Sequence, residues 1–473
     1  MNRTIAAHSV RRPLSRRDFL SVATIGLGGL LSGCGGGGGS VVRSTPITGG
    51  PGRGTGEIPP QSGWSVVNTA YKQLTKKWTF LVYMNAANDL EEYSILNMNQ
   101  MEAIGSGDNL NLIVQYKRFP NRYDSSNGDW PGTRRYYVVR DTDRAAVNSY
   151  LLSENQTLDM GDWQSLQRFV QWGVATYPAE RYCLVLWNHG AGWRSARNGA
   201  GPITRGVSYD DITGNHIDTI EFPAAIDIGG GRKWDVLAFD SSLMQMLEVA
   251  YEIRDKATYI VGSEESPPGP GYPYDRFLGN LANDINRSPR DFAIDIAQQT
   301  IESYTLNSNI THSVLDVSKV AGIVPAVDEL GRLLFEKKGT YAQRIRDARA
   351  KAENYDYLYY RDIIDFTNQL TAPMTPQDRL SKEEFPLTTP PIADAAIVNA
   401  AALLRQTVQE AVIKNVRGNQ HPRSNGLSIY LPTPGEYDAI DVSQANGFGQ
   451  RYRALAFTKA APSWHNFIEN GPI

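Results

Sequence analysis

Short apolar runs recur along this chain, separated by longer stretches with helical spacing. The runs at 78–84, 110–116, 182–187, 236–239 and 258–262 have the length and composition of strands buried on both faces. A further run at 134–140 is flanked by charge, which places it towards a sheet edge, and 312–316 and 426–431 read as additional strands. Amphipathic or helical patterns fill 162–175, 218–227, 276–306, 321–337 and 393–414. Another is expected to start at Leu243, on the spacing of Leu243, Leu247 and Ala250. Strands alternating with helices predict an α/β fold, with a mostly parallel sheet inside a three-layer sandwich. Residues 118–133 are rich in Asp, Asn, Gly and Pro and read as a mobile loop.

Two strand ends stand out. The run 182–187 leads into Asn188-His189-Gly190-Ala191-Gly192-Trp193, and the run 236–239 into Asp240-Ser241-Ser242. In an open α/β sheet both loops leave from the carboxyl edge, where ligands bind. His189 and Ser242 are therefore the candidate catalytic pair. Asp240 also reads as a cap for the helix expected at Leu243, and Asn88 or Asp89 as a cap for the helix after the first strand.

Asn-His-Gly-Ala-Gly-Trp, followed by Phe-Asp-x-x-Leu-Met-x-x-Leu-Glu-Val-Ala-Tyr-Glu, resembles the clostripain family of cysteine peptidases, relatives of the caspases and gingipains. Further matching blocks begin at Trp78, Gly262, Gly271 and Asn425, in family order. The resemblance implies a caspase-like three-layer sandwich. It also implies His189 as the catalytic histidine and Asp240 as the partner of a basic P1 side chain. Asp275, Glu264 and Glu265 are weaker candidates for the same cleft. The departure is at the nucleophile: where the family reads Asp-Ala-Cys-Leu-Met, this chain reads Asp240-Ser241-Ser242-Leu243-Met244. A thiol is partly ionised near neutral pH, whereas a serine hydroxyl needs a tightly held base oriented by a third group. The sequence does not identify that group.

Composition sets the context. With 41% hydrophobic and 21% charged residues, the chain is globular rather than disordered. Residues 1–34 read as an export segment: Ser15-Arg16-Arg17-Asp18-Phe19-Leu20 is similar to a twin-arginine motif, and Leu31-Ser32-Gly33-Cys34 to a bacterial lipobox. Cys34 would then carry lipid, and Gly35 after it points to the outer membrane in a diderm cell. The Gly-, Pro- and Ser-rich stretch 35–65 reads as a tether, 66–320 as the peptidase-like core and 321–473 as a subdomain packed on it. Loss of the export segment removes five arginines and one aspartate and takes the formal charge from −3 to −7. That balance, without a basic stripe, argues against nucleic acid as a partner. Cys183 lies inside an apolar run and reads as a small buried hydrophobe. No pair of histidines has metal-ligand spacing, no Asp/Asn cluster has calcium spacing, and no cofactor is expected.

Three readings remain open at this stage. One is an envelope lipoprotein, catalytically silent or weak, that still binds peptides or proteins through exposed Arg or Lys. Another is an endopeptidase cutting after Arg or Lys with Ser242 and His189. The last is a structural lipoprotein. A carboxylate within reach of His189 would favour the second.

Overall fold

The computed structural model describes residues 61–70, 73–193, 206–305, 308–372, 389–437 and 449–473. The export segment, Cys34 and the tether up to residue 60 lie outside the described residues. In chain order the strands are β1 (Ser65–Val66), β2 (Lys76–Ala86), β3 (Leu110–Arg118), β4 (Thr133–Tyr137), β5 (Tyr150–Asn155), β6 (Ala179–Trp187) and β7 (Val207–Asp210). They continue as β8 (Asn215–Ile217), β9 (Trp234–Asp240), β10 (Ala257–Gly262), β11 (Thr311–Asp316), β12 (Tyr360–Asp362), β13 (Val412–Arg417) and β14 (Ser428–Tyr430). Ten of these form one sheet, ordered β1-β5-β4-β3-β2-β6-β9-β10-β11-β13.

The centre of the sheet, β3-β2-β6-β9-β10, is parallel, and both flanks are antiparallel. Along β2, Leu81 and Tyr83 enter one core while Phe80, Val82 and Met84 enter the other. Burial on both faces is why these strands are apolar throughout instead of alternating. Helices Trp163–Thr176, Val317–Glu336, Ala395–Ala411 and Pro462–Asn470 cover the first face. Helices Glu91–Glu102, Tyr274–Asn283 and Pro289–Glu302 cover the second. The result is a three-layer α/β/α sandwich. No described helix is long and apolar enough to cross a membrane.

Several elements differ from the sequence pattern. β5 and β13 appear where no strand was expected, and β13 takes residues that the pattern assigned to the end of a helix. β14 pairs with β12 in a small separate sheet, not with the main one. The C-terminal part therefore contributes an edge strand to the main sheet as well as packing on it. The helix expected at Leu243 begins only at Leu247, because Leu243 has φ of +65° and Met246 bridges to Ser428. The loop from 118 to 133 is tied down rather than loose. Buried Arg118 donates to the carbonyls of Asp124 (2.6 Å) and Ser126 (2.7 Å) and to the Glu91 carboxylate (2.7 Å). At the other end of the loop, the Asp129 carboxylate accepts from the Asn121 N–H.

Candidate active site

Parallel pairing of β6 with β9 sets Trp187 beside Asp240, so the next residues of both strands leave the sheet side by side. The Asn188 N–H donates to the Asp240 carbonyl (3.3 Å). The loops then converge so closely that only glycine fits: a Cβ on Gly190 would lie 2.3 Å from the Ser242 carbonyl oxygen. His189 and Ser242 are thus brought onto one edge, as the spacing of the two runs predicts.

His189 is buried, and its Nε2 lies 2.6 Å from Oδ1 of Asp89, just past the end of β2. A carboxylate at this distance fixes the orientation of the ring. The sequence reads Asn88 or Asp89 as a cap for the helix after the first strand. In the structure the N-cap position is Leu90, without a side-chain cap; Asn88 Oδ1 accepts from the Leu90 N–H (3.0 Å) just ahead of the helix, and Asp89 turns to the histidine. The available signal was position: Asp89 follows the central strand at the same carboxyl edge.

The His loop is itself stapled. The Asn188 side-chain amide donates to the carbonyls of Asn85 and Tyr209, while its Oδ1 accepts from the Tyr209 N–H (2.7 Å). Asn85 and Asn88 donate to Ser208 and Tyr209 in the same way. Three asparagine side chains thereby fasten the β7–β8 hairpin against the ends of β2 and β6. Asp210 in that hairpin forms a buried pair with Lys117 (2.6 Å) and accepts from the Met160 N–H.

Ser242 is 3% exposed, and among the described residues its hydroxyl has no hydrogen-bond partner, His189 included. The preceding Ser241 hydroxyl is buried and also unpartnered among the described residues. Leu243 follows in the left-handed region, a conformation costing a non-glycine residue on the order of 1 kcal/mol or more. The strain is held by the Leu243 and Gln245 N–H groups, which donate to the carbonyls of Glu265 (3.2 Å) and Ser263 (3.1 Å). Asp240 does not cap a helix. Its Oδ2 accepts from the Tyr274 hydroxyl (2.9 Å) and the Tyr272 N–H (3.3 Å).

The other candidates are placed differently. Asp275 sits half-buried in the first turn of helix Tyr274–Asn283, next to the tyrosine that holds Asp240. Glu264 is 1% exposed and accepts from the Tyr355 hydroxyl (2.7 Å), the Ser424 hydroxyl and the Gly426 N–H (3.2 Å). Its carboxyl is committed to donors of the C-terminal part. Glu265 lies 3.2 Å from His421. Cys183 is fully buried, and burial pushes its thiol well up, away from the reactive thiolate. Among the described residues no three His, Cys, Asp or Glu side chains converge as a cation site.

The clostripain family model matches residues 82–470, which span both loops, most of the parallel centre and the C-terminal helices. The chain belongs to the clostripain family. It is similar to clostripain of Hathewaya histolytica, with 25% identity over 422 residues, covering 78% of this chain and 77% of that protein. Among solved structures it resembles a secreted cysteine protease of Bacteroides thetaiotaomicron bound to an irreversible peptide inhibitor. The TM-score is 0.55 at 18% identity, covering 82% of this chain and 99% of the other. An inactive zymogen protease of Parabacteroides distasonis gives the same TM-score at 19% identity, with the same coverage. These likenesses agree with the caspase-like sandwich seen here.

Proposed function

We propose that this clostripain-family protein is an envelope lipoprotein whose cleft binds peptides or proteins through an Arg or Lys side chain, and that it is catalytically silent or weak. In this reading Ser242 stands where the family carries its nucleophilic cysteine. The observation that carries it is the Ser242 hydroxyl, which lacks a hydrogen bond to His189. A thiolate tolerates such a gap because it is already ionised; a hydroxyl must hand its proton to a base at the moment of attack. Asp240, buried and fed by two donors, supports recognition of a basic side chain through a charge-assisted hydrogen bond. Export by the twin-arginine route and lipidation at Cys34 rest on the sequence motifs alone.

A second reading, an endopeptidase using Ser242 with His189 as base, is favoured by one observation. The 2.6 Å contact between Asp89 and His189 supplies the third group that a serine nucleophile requires.

Both are tested on the chain from residue 61 onward with fluorogenic peptides ending in Arg or Lys, alongside Ser242→Cys and His189→Ala. The first reading expects wild type to bind these peptides without turnover and Ser242→Cys to cleave them. Cleavage by wild type that disappears in His189→Ala would replace it with the second. Absence of both binding and cleavage in every sample would leave a structural lipoprotein.

A further inference from the structure

The β7–β8 hairpin is stapled to the loop of His189 by asparagines, and it also sets an aromatic ring against the histidine itself. Tyr209 in β7 is buried, and its ring meets the His189 imidazole edge-on, with centroids 6.5 Å apart and 63° between the planes. The same ring stacks on the imidazole of His216 in β8, at 5.4 Å and 22°. His189, Tyr209 and His216 thus form a row of three rings in contact. Both separations lie in the range where ring pairs attract beyond the area they bury.

The backbone and the side chain of Tyr209 have separate tasks. Its N–H donates to Asn188 Oδ1 (2.7 Å), and its carbonyl accepts from the side-chain amides of Asn188 (3.1 Å) and Asn88 (3.0 Å). Two residues on, the Asp211 N–H donates to the Ala87 carbonyl (2.9 Å). Main-chain atoms make all of these bonds on the hairpin side, so the hairpin stays fastened whatever side chain stands at 209.

His216 is held firmly in its turn. Its Nε2 lies 3.2 Å from Oδ1 of Asp218, and its N–H donates to Asn215 Oδ1 (2.9 Å), whose amide donates to Asp159 (2.9 Å). The backbone here rests on Gly161, where a Cβ would come within 2.4 Å of the Asn215 carbonyl carbon. His216 therefore cannot readily withdraw from Tyr209. His189, by contrast, is fixed by Asp89 at one point, through Nε2. A single hydrogen bond leaves an imidazole room to turn about its side-chain torsions unless packing opposes the turn.

We propose that Tyr209 is a positioning residue for His189: its ring, backed by His216, keeps the imidazole turned so that Nε2 faces Asp89. A carboxylate only accepts, so Nε2 carries the hydrogen in that contact and Nδ1 is left as the basic nitrogen. The asparagines hold the loop, and the tyrosine ring holds the side chain within it. The inference rests on His189 being the histidine of the site assigned above, and it holds whether that site cuts peptides or only binds them.

NMR of the full chain with nitrogen-15-labelled histidine tests it without any substrate, because the ring nitrogens report which of them carries the hydrogen. His189→Ala assigns the signal. Wild type is expected to show His189 with Nε2 protonated. Tyr209→Leu, which removes the ring but none of the main-chain bonds, is expected to raise the share of the Nδ1-protonated tautomer about two- to tenfold. Tyr209→Phe keeps the ring and is expected to give the wild-type signal. A folded Tyr209→Leu protein with the wild-type His189 signal overturns the proposal, as does a Tyr209→Phe protein that departs as far as Tyr209→Leu. If Tyr209→Leu does not fold, His216→Ala decides, since that side chain is partly exposed: an unchanged His189 signal there overturns the proposal, and a shift towards the other tautomer supports it. Peptides do not enter this readout, so its failure is separate from failure of the proposed function.

Discussion

Asp89 and Gly190 carry the residue-scale argument, because neither announces its role by type. An aspartate before a helix is usually a cap. Here the helix has no side-chain cap, and Asp89 instead holds His189 at 2.6 Å. In a Ser242→Cys protein that turns over peptide, Asp89→Asn should lower kcat by about ten- to a hundredfold with little change in KM. Steady-state kinetics on the double variant check this, and an unchanged kcat would remove Asp89 from the site. Gly190 is required for a different reason: its missing Cβ lets the His loop rest on the Ser242 carbonyl. Gly190→Ala should therefore force the two loops apart. The expected cost is about 1–3 kcal/mol in urea unfolding, together with loss of peptide binding. Only the backbone approach, invisible in sequence, reveals why this glycine matters.

At the scale of elements, legibility followed burial. The central strands β2, β3, β6, β9 and β10 are enclosed on both sides and announce themselves as apolar runs. β5 (Tyr-Leu-Leu-Ser-Glu-Asn) and β13 (Val-Ile-Lys-Asn-Val-Arg) lie on the antiparallel flanks, where partial exposure admits polar side chains and blurs the pattern. The helix expected at Leu243 shows the opposite failure. Its apolar spacing is real, but tertiary contacts impose a left-handed backbone on Leu243 and delay the helix to Leu247. The loop after β3 looked mobile by composition because its anchor is one residue, Arg118, at the strand end. Arg118 and Glu91 form an ion pair with both side chains fully buried. Arg118→Ala should cost about 3–5 kcal/mol, since Glu91 is left without its partner inside the protein. Chemical denaturation reads this directly. Arg118→Met combined with Glu91→Leu should recover much of the loss, and no recovery would show that the carbonyl contacts to residues 124 and 126 dominate instead.

Across the whole molecule, the formal charge of −3 gives no hint of how much acid is interior. Burial pushes Glu102, Glu248 and Glu264 each up to about 7, and flanking carboxylates raise His421 to about 9. Each of these groups holds its proton more tightly folded than unfolded. Their contribution to stability is therefore complete below the unfolded value, near 4.5 for the glutamates and 6.5 for the histidine. It is lost as pH rises through about 7 and then about 9. His465, Arg135 and Arg361 are lowered by burial, the two arginines to about 9, and act in the opposite sense, while Glu91 joins the raised glutamates at about 7. Thermal unfolding should thus shift to lower temperature from pH 6 to pH 9, rather than peak near pH 7–8. Glu248 tests the mechanism because it is fully buried and accepts from the Tyr430 N–H (2.9 Å) and the Tyr452 hydroxyl (3.2 Å). Glu248→Gln keeps a carbonyl acceptor for these donors and removes one titration. Its melting temperature should fall less steeply with pH than that of wild type, and curves that stay parallel across the range would show that Glu248 is ionised throughout.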